Sequence, residues 1–314
     1  MLEENLLQEL SERLDIAIVS LSACSGCQVS ILDQKEILSR MLSDIKYATT
    51  IMDARELPNV DCCLVEGAVR TDEDLAKLRD AREKSKILVA LGSCASYGGI
   101  QALGNLQRTD DLLKVVTGDS GTYSDTPTVI PRLESLDRFV TIDYYIPGCP
   151  PSESVLQHAL PLVLAGKEIE MTTEHRLPVC ASCGRRIEHR HIESFENLTI
   201  PDEDICLLSQ GYICLGSVTR GGCSAQCPSM NIACSGCRGP TDRVLIQPTH
   251  NVLRDFVSRV SHFSGRSEAD VLKEIQAIPW RFFPFTFASQ AMKRKPYSKI
   301  VELQAPIMKK EVMK

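Results

Sequence analysis

The sequence predicts an α/β protein: a doubly wound parallel sheet, followed by a cysteine-rich part that is mostly irregular or helical. Up to residue 166, short β-branched runs alternate with segments of helical period, which is the pattern of a parallel sheet covered by helices. Beyond a polar linker at 167–178 this alternation stops, and eight cysteines fall between Cys180 and Cys237. We therefore expect two domains, residues 1–166 and residues 167–314.

Five strands are predicted in the first domain, each a short apolar run bounded by turn residues. They lie at residues 15–22, 48–52, 62–67, 87–91 and 140–142. A helix is predicted at 29–42, and a capping box formed by Thr71 and Asp74 predicts the start of a second. A third begins at Ser152 with an apolar face. Amphipathic helices are predicted at 251–260 and 268–278 in the second domain.

Composition limits the classes of function. The chain has 314 residues and a net charge of −6, which argues against nucleic acid as the main partner. No apolar run is long enough to span a membrane, and the acidic N-terminus lacks the features of a secretory signal. We therefore expect a cytoplasmic protein, in which thiols stay reduced. Fourteen cysteines in that compartment predict metal ligation and not a disulfide framework.

Four cysteines of the first domain follow predicted strands on turns rich in glycine or proline. They are Cys24, Cys27, Cys94 and Cys149. Because ligands of doubly wound sheets bind outside the carboxyl ends of the strands, we expect these thiols to meet at one sheet edge. Four thiolates are the ligand set of a 4Fe-4S cluster. The alternative is that they are unrelated small buried residues.

The eight later cysteines divide naturally into two sets of four. Their spacings are short, including C-x3-C-x6-C-x2-C at the end, which is typical of zinc or iron–sulfur sites. Order in the chain favours one set of Cys180, Cys183, Cys206 and Cys214, and another of Cys223, Cys227, Cys234 and Cys237. The sequence leaves mixing between the sets open. His189 and His191 are less favoured ligands, since eight cysteines are already available.

An aromatic segment at 279–287 holds five of the sixteen aromatic residues, including the only tryptophan. It has two interpretations: a docking segment for a partner, or a cover over the cysteine-rich domain. The basic tail after it is expected to be a solvated end that takes part in docking.

Three motifs together resemble the small subunit of nickel–iron hydrogenases. They are Cys24-Ser-Gly-Cys27, Gly92-Ser-Cys94-Ala95 followed by Gly98-Gly99, and Pro147-Gly-Cys149-Pro-Pro. The resemblance runs from about Asp15 to Cys237 and implies a flavodoxin-like first domain. It also implies a proximal 4Fe-4S cluster on Cys24, Cys27, Cys94 and Cys149. By the same resemblance Cys180, Cys183, Cys206 and Cys214 hold a distal cluster, and Cys223, Cys227, Cys234 and Cys237 a medial one.

Two departures from membrane-linked members of that family refine the resemblance. Cys180 stands where those members usually have a histidine, and Cys227 is present where they often lack a cysteine. Ligation by cysteine alone implies three 4Fe-4S clusters. The chain looks most like the small subunit of the methanogen hydrogenases that do not reduce deazaflavin and feed heterodisulfide reductase. The deazaflavin-reducing hydrogenases and the sulfhydrogenases have a similar layout.

The resemblance implies an electron relay that belongs to a hydrogenase complex. Hydrogen would be split on the nickel–iron site of a large subunit, because no nickel ligands are recognised in this chain. Electrons would then pass to a further subunit, a 2Fe-2S or flavin protein linked to heterodisulfide reductase.

Two other classes of protein remain to be separated from this one. A complex I-like cluster subunit shares the Pro-Gly-Cys-Pro-Pro element, but it carries adjacent cysteines at the first ligand site and lacks the later eight. Cys62 and Cys63 are adjacent here, but they lie inside a predicted strand, which favours core packing. A zinc module would explain the C-x2-C pairs, but not the four strand-end cysteines.

Overall fold

A computed structural model defines the architecture of the chain. It describes residues 14–35, 44–53, 55–118, 126–167, 177–189, 191–195, 199–243, 252–278, 281–282 and 284–289. The chain divides into two compact units. Unit 1 comprises Met1–Glu170 and Phe287–Gln290, and unit 2 comprises Met171–Thr286 and Ala291–Lys314.

Unit 1 is built on a five-stranded parallel sheet. Its strands are β1 Ile16–Ser20, β2 Ile45–Ala48, β3 Val60–Glu66, β5 Ser85–Leu91 and β7 Tyr144–Ile146, in the spatial order β2-β1-β3-β5-β7. Strands β4 Val69–Thr71 and β6 Val129–Glu134 form a separate antiparallel pair. Every pairing in the large sheet is parallel, and its order is that of flavodoxin-like folds. The predicted fold class is confirmed.

Helices cover both faces of this sheet. The described helices of unit 1 are α1 Gly26–Leu32, α2 Asp72–Lys84, α3 Gly92–Tyr97, α4 Thr109–Thr117 and α5 Glu153–Leu164. Alternate residues of the central strands point to opposite faces, so Leu64 packs with Leu156 of α5 while Val65 packs with Leu78 of α2. Because both faces of the sheet are buried, the sequences of these strands are continuous apolar runs.

Two predicted strands are displaced from the observed ones. The second is β2 at Ile45–Ala48, and residues 49–52 form a turn. The fifth is β7 at Tyr144–Ile146, because the Asp143 side chain accepts the Leu88 N–H at 2.7 Å and fixes where pairing with β5 begins. The apolar residues at 140–142 pack against the sheet core without joining the sheet. The second half of the helix predicted at 29–42 lies outside the described residues.

Unit 2 has little regular structure around its cysteines. Its described helices are the short α6 Gln226–Ser229, followed by α7 Val252–Ser264 and α8 Glu268–Ala277, with single 3-10 turns at Val179–Ala181, Leu208–Gln210 and Leu215–Ser217. Phe256 and Val260 of α7 are completely buried and form one core with Leu215. The two long helices therefore give the irregular cysteine segments a hydrophobic surface to pack on.

The aromatic segment is buried where the structure describes it. Phe282 is 3% exposed and packs edge-on against Phe256, with ring centroids 5.1 Å apart, inside the core of unit 2. Phe287 is 4% exposed and packs with Leu133 in a core cluster of unit 1. The burial of Phe282 favours the covering interpretation over the docking one, whereas Phe287 belongs to unit 1 and does not cover the cysteine-rich domain. Trp280 and the basic tail from residue 290 lie outside the described residues.

The capping box of α2 is confirmed. Thr71 Oγ1 accepts the Asp74 N–H at 3.1 Å, and Asp74 Oδ2 accepts the Thr71 N–H at 2.9 Å. We expect Thr71→Ala to weaken the first turn by about 1 kcal/mol, which corresponds to about fivefold faster amide exchange in α2. Hydrogen exchange of peptides from residues 72–84 measures this. Glu73→Ala, at an exposed position of the same turn, is the control, and equal exchange in both variants would refute the assignment.

Candidate metal centres

The carboxyl edge of the parallel sheet collects the four cysteines of the first set. Cys24 lies in the loop after β1, and Cys27 is the second residue of α1. Cys94 lies in α3, directly after β5, and Cys149 follows β7. The four thiols therefore come from three loops, because β1 supplies two of them. Topology brings them to one edge although 125 residues separate the first from the last.

The thiols of this set act on one another electrostatically. The pKa of Cys27 is raised, first by burial and then by the negative charges of Glu66, Cys94, Cys149 and Cys24. Burial, followed by Cys94 and Cys24, raises the pKa of Cys149 to about 11. The neighbouring groups thus disfavour ionisation of Cys27 and Cys149. A positively charged core between them would reverse this effect.

Two glycines leave room for these sulfur atoms. A Cβ placed on Gly92 would lie 2.3 Å from Cys27 Sγ, and one on Gly99 would lie 2.4 Å from Cys94 Sγ. Both glycines have positive φ, at 83° and 66°. Any side chain at either position would therefore collide with a thiol and would also strain the backbone.

Hydrogen bonds fasten the three loops to each other. The Ser93 N–H donates to the Gly148 carbonyl at 2.8 Å, and the Gly148 N–H donates to Ser93 Oγ at 3.1 Å. Ser30 Oγ of α1 donates to the Pro151 carbonyl at 2.7 Å. The loop that carries Cys149 is thus bound to both of the other cysteine-bearing segments.

Glu66 is a buried carboxylate next to Cys27. It ends β3, between β1 and β5, and is 1% exposed. Its side chain accepts hydrogen bonds from the Cys27 N–H at 3.2 Å, Gln28 Nε2 at 2.6 Å and Ser20 Oγ at 3.0 Å. The structure places Glu66 against the backbone of Cys27.

The first set of four cysteines in unit 2 is also grouped. Burial raises the pKa of Cys180 to about 12, and the charges of Cys214, Cys206 and Cys183 add to this effect. Arg259 opposes it. The structure therefore brings together the four residues that chain order placed in one set.

The last four cysteines fall into two pairs. The pKa of Cys227 is raised by burial and then by Cys223, whereas that of Cys234 is raised by burial, then by Cys214, with a smaller contribution from Cys237. The Ile232 N–H donates to the Cys227 carbonyl at 2.9 Å, so the chain turns back between the pairs.

Cys234 joins the two groups of unit 2. Its N–H donates to Cys214 Sγ at 3.3 Å, while its carbonyl accepts the Leu215 N–H at 2.8 Å. Burial raises the pKa of Cys214 overall. The hydrogen bond from the Cys234 N–H opposes this effect, because a hydrogen bond to sulfur stabilises the thiolate form. The backbone of one cysteine group is thus a direct neighbour of a thiol in the other.

Arg185 organises the segments between these cysteines, a role that sequence reasoning missed. Its guanidinium donates to the carbonyls of Pro228, Asp202 and Ile205 at 2.9, 2.7 and 3.0 Å. It also donates to Asn231 Oδ1 at 2.7 Å. One side chain thus holds together the loops that flank Cys206 and Cys227. Its position two residues after Cys183 was the only signal in the sequence.

The cysteines are available as ligands. All fourteen are free thiols. Among the described residues, no three Cys, His, Asp or Glu side chains are close enough to hold one metal ion. A four-iron core is larger than one ion and takes its four thiolates from around its surface.

His189 packs edge-on against His262 and Phe263, with ring centroids 5.4 and 5.9 Å away. No described helix is long and apolar enough to cross a membrane.

Comparison with known proteins identifies relatives over most of the chain. The family described as "NADH ubiquinone oxidoreductase, 20 Kd subunit" matches residues 24–162. A subunit of the F420-non-reducing hydrogenase (vhu) of Methanocaldococcus jannaschii is 40% identical over 73% of this chain and 83% of its own length. The iron-sulfur subunit of the F420-non-reducing hydrogenase of Archaeoglobus profundus is 31% identical over 82% of this chain and 89% of its own. A chain of an NAD+-reducing NiFe-hydrogenase structure is 30% identical, with 52% and 97% coverage and a TM-score of 0.48.

The space at Gly92 can be tested with a matched control. We expect Gly92→Ala to abolish occupation of the first centre, because the new Cβ would lie 2.3 Å from Cys27 Sγ and displace it. The iron content should fall by about four atoms per chain. Gly118→Ala has the same left-handed strain, at φ 70°, but nothing lies within 4 Å of its Cβ. Iron and acid-labile sulfide measure the outcome. Equal iron in the two variants would contradict the assignment.

Proposed function

The chain belongs to the family of hydrogenase subunits that includes the iron-sulfur subunit of the F420-non-reducing hydrogenases, and we propose on this basis that it is the electron-relaying small subunit of a nickel–iron hydrogenase. Its relatives are subunits of oxidoreductase complexes, so the chain acts as part of a hydrogenase. The observation that carries the proposed role is the convergence of four cysteine thiols at the carboxyl edge of the sheet.

The first centre is assigned to a proximal 4Fe-4S cluster on Cys24, Cys27, Cys94 and Cys149. Such a cluster stores and releases one electron at a time. Within this chain Gly92 and Gly99 keep the space of the sulfur atoms open, and Glu66 fixes the Cys27 backbone. Cys24 and Cys149 are exposed, so the centre lies at the surface of the chain. That exposure supports a second subunit next to it.

Unit 2 is assigned two further 4Fe-4S clusters, which makes three in all. The distal one would use Cys180, Cys183, Cys206 and Cys214, and the medial one Cys223, Cys227, Cys234 and Cys237. The mutual effects of the first four thiols support the distal set. The bond from the Cys234 N–H to Cys214 Sγ supports placing the two centres next to each other. Close spacing of centres is what a relay requires.

The proposed partners follow from the family. The large subunit would hold the nickel–iron site, where H2 gives two electrons and two protons. A further subunit, a 2Fe-2S or flavin protein linked to heterodisulfide reductase, would take the electrons onward in methanogenesis. The relative from M. jannaschii belongs to a hydrogenase named for not reducing F420, which supports this acceptor over deazaflavin. We place the complex in the cytoplasm.

Two other functions are alternatives to this proposal. A deazaflavin-reducing hydrogenase or a sulfhydrogenase would use the same relay with another acceptor. A complex I-like cluster subunit is less favoured, because the family named for that complex matches only residues 24–162 and leaves the eight later cysteines unexplained. Cys62 and Cys63 are 1% and 0% exposed inside β3, which confirms that this adjacent pair belongs to the core.

Anaerobic purification of the tagged chain from its native host tests the proposal. We expect a co-purifying subunit that contains nickel, about twelve iron atoms per small subunit, and reduction of benzyl viologen by H2. Full iron without nickel or H2 oxidation would overturn the hydrogenase role and promote the complex I-like one. Zinc in place of iron would overturn both.

Glu66 is expected to lower the reduction potential of the first centre. Its buried negative charge disfavours the added electron, so Glu66→Gln, which keeps the size of the side chain, should raise that potential by roughly 50 mV. An EPR-monitored redox titration of the complex measures the shift. Glu73→Gln, at an exposed position on α2, should leave the potential unchanged. Equal potentials in the two variants would refute electrostatic tuning by Glu66.

A further inference from the structure

Unit 2 contains a cavity of about 800 Å³ that none of the proposed centres uses. One wall is a face of α7, and the other walls come from the chain around Pro178, Val218 and Thr241. Cavities of this volume are typical of binding sites in proteins.

Positive charge dominates the lining. Among the described lining residues, three arginines, Arg243, Arg254 and Arg259, face the cavity with His262, against one acid, Asp255. The whole chain has the opposite balance, with a net charge of −6. A local excess of guanidinium groups on an acidic protein indicates complementarity to an anion. Guanidinium groups bind carboxylates through two parallel hydrogen bonds.

The cavity adjoins the cysteine group assigned to the distal centre. Pro178 lines it and lies two residues before Cys180. Arg259 lines it as well, and its charge acts on the Cys180 thiol. The guanidinium of Arg259 lies over the Phe263 ring, 5.1 Å from its centroid, which limits its freedom. The positively charged wall and the distal centre are therefore parts of one surface region of unit 2.

We propose that this cavity is the docking surface for an acidic segment of the protein that accepts electrons from this chain. The proposal rests on the proposed relay function. Carboxylates of the acceptor would enter between Arg254 and Arg259 and bring its redox centre toward Cys180. One electron would then leave the reduced distal centre and reduce the acceptor, with H2 as the source of electrons. Charge complementarity favours an acidic protein, and the exposed face of α7 offers a row of side chains to such a segment.

Charge reversal in the complex of this chain with its large subunit, purified without the further subunit that would cover this surface, tests the docking. The probes are an acidic two-cluster ferredoxin and basic cytochrome c, each reduced under H2. We expect Arg254→Glu to lower kcat/KM for the ferredoxin at least about fivefold and to raise that for cytochrome c, with Arg254→Gln intermediate. Arg79→Glu is the control, because Arg79 is an exposed arginine on α2 of unit 1. It should change both rates less than about twofold.

Two results would overturn the docking surface. One is an unchanged ferredoxin rate in Arg254→Glu, and the other is an equal loss of rate with both proteins. Benzyl viologen reduction separates the two proposals: its absence in the wild-type complex refutes the relay function, whereas its presence with unchanged ferredoxin rates refutes only the docking.

Discussion

Electrostatic repulsion between neighbouring thiol groups is the constraint that the two units share. At the sheet edge, the partly buried Cys27 has its pKa raised by burial, by the carboxylate of Glu66 and by three other cysteines. The same arrangement recurs around Cys180. A cationic core would let such groups ionise together, which supports the proposal that they hold a cluster. The surrounding residues provide space, as at Gly92, and a backbone N–H donor, as from Cys234 to Cys214 Sγ.

Much of this arrangement was predictable because it depends on local sequence. The four strand-end cysteines lie on turns whose glycine and proline residues are visible in the sequence, and parallel topology then brings them together. The capping box at Thr71 and the apolar face of α5 follow equally from short-range patterns. These features need no knowledge of distant contacts.

Other features were not predictable, because long-range contacts determine them. The fifth strand begins after Asp143 since that side chain binds the Leu88 N–H, 55 residues away in the chain. Glu66 acquires its place by binding Cys27 across the neighbouring strand, and nothing around it in the sequence distinguishes it from a cap. Arg185 binds carbonyls up to 43 residues away, and a charged residue in a polar stretch gives no sign of this.

The central claim is that the twelve cysteines at the sheet edge and in unit 2 hold three separate four-iron clusters. An anomalous difference map of the crystallised complex, collected on either side of the iron absorption edge, tests it most directly. We expect three iron peaks, each surrounded by one of the three sets of four cysteines, with the first at Cys24, Cys27, Cys94 and Cys149. A map without iron at that sheet edge, or with a single zinc ion there, would contradict the proposed clusters.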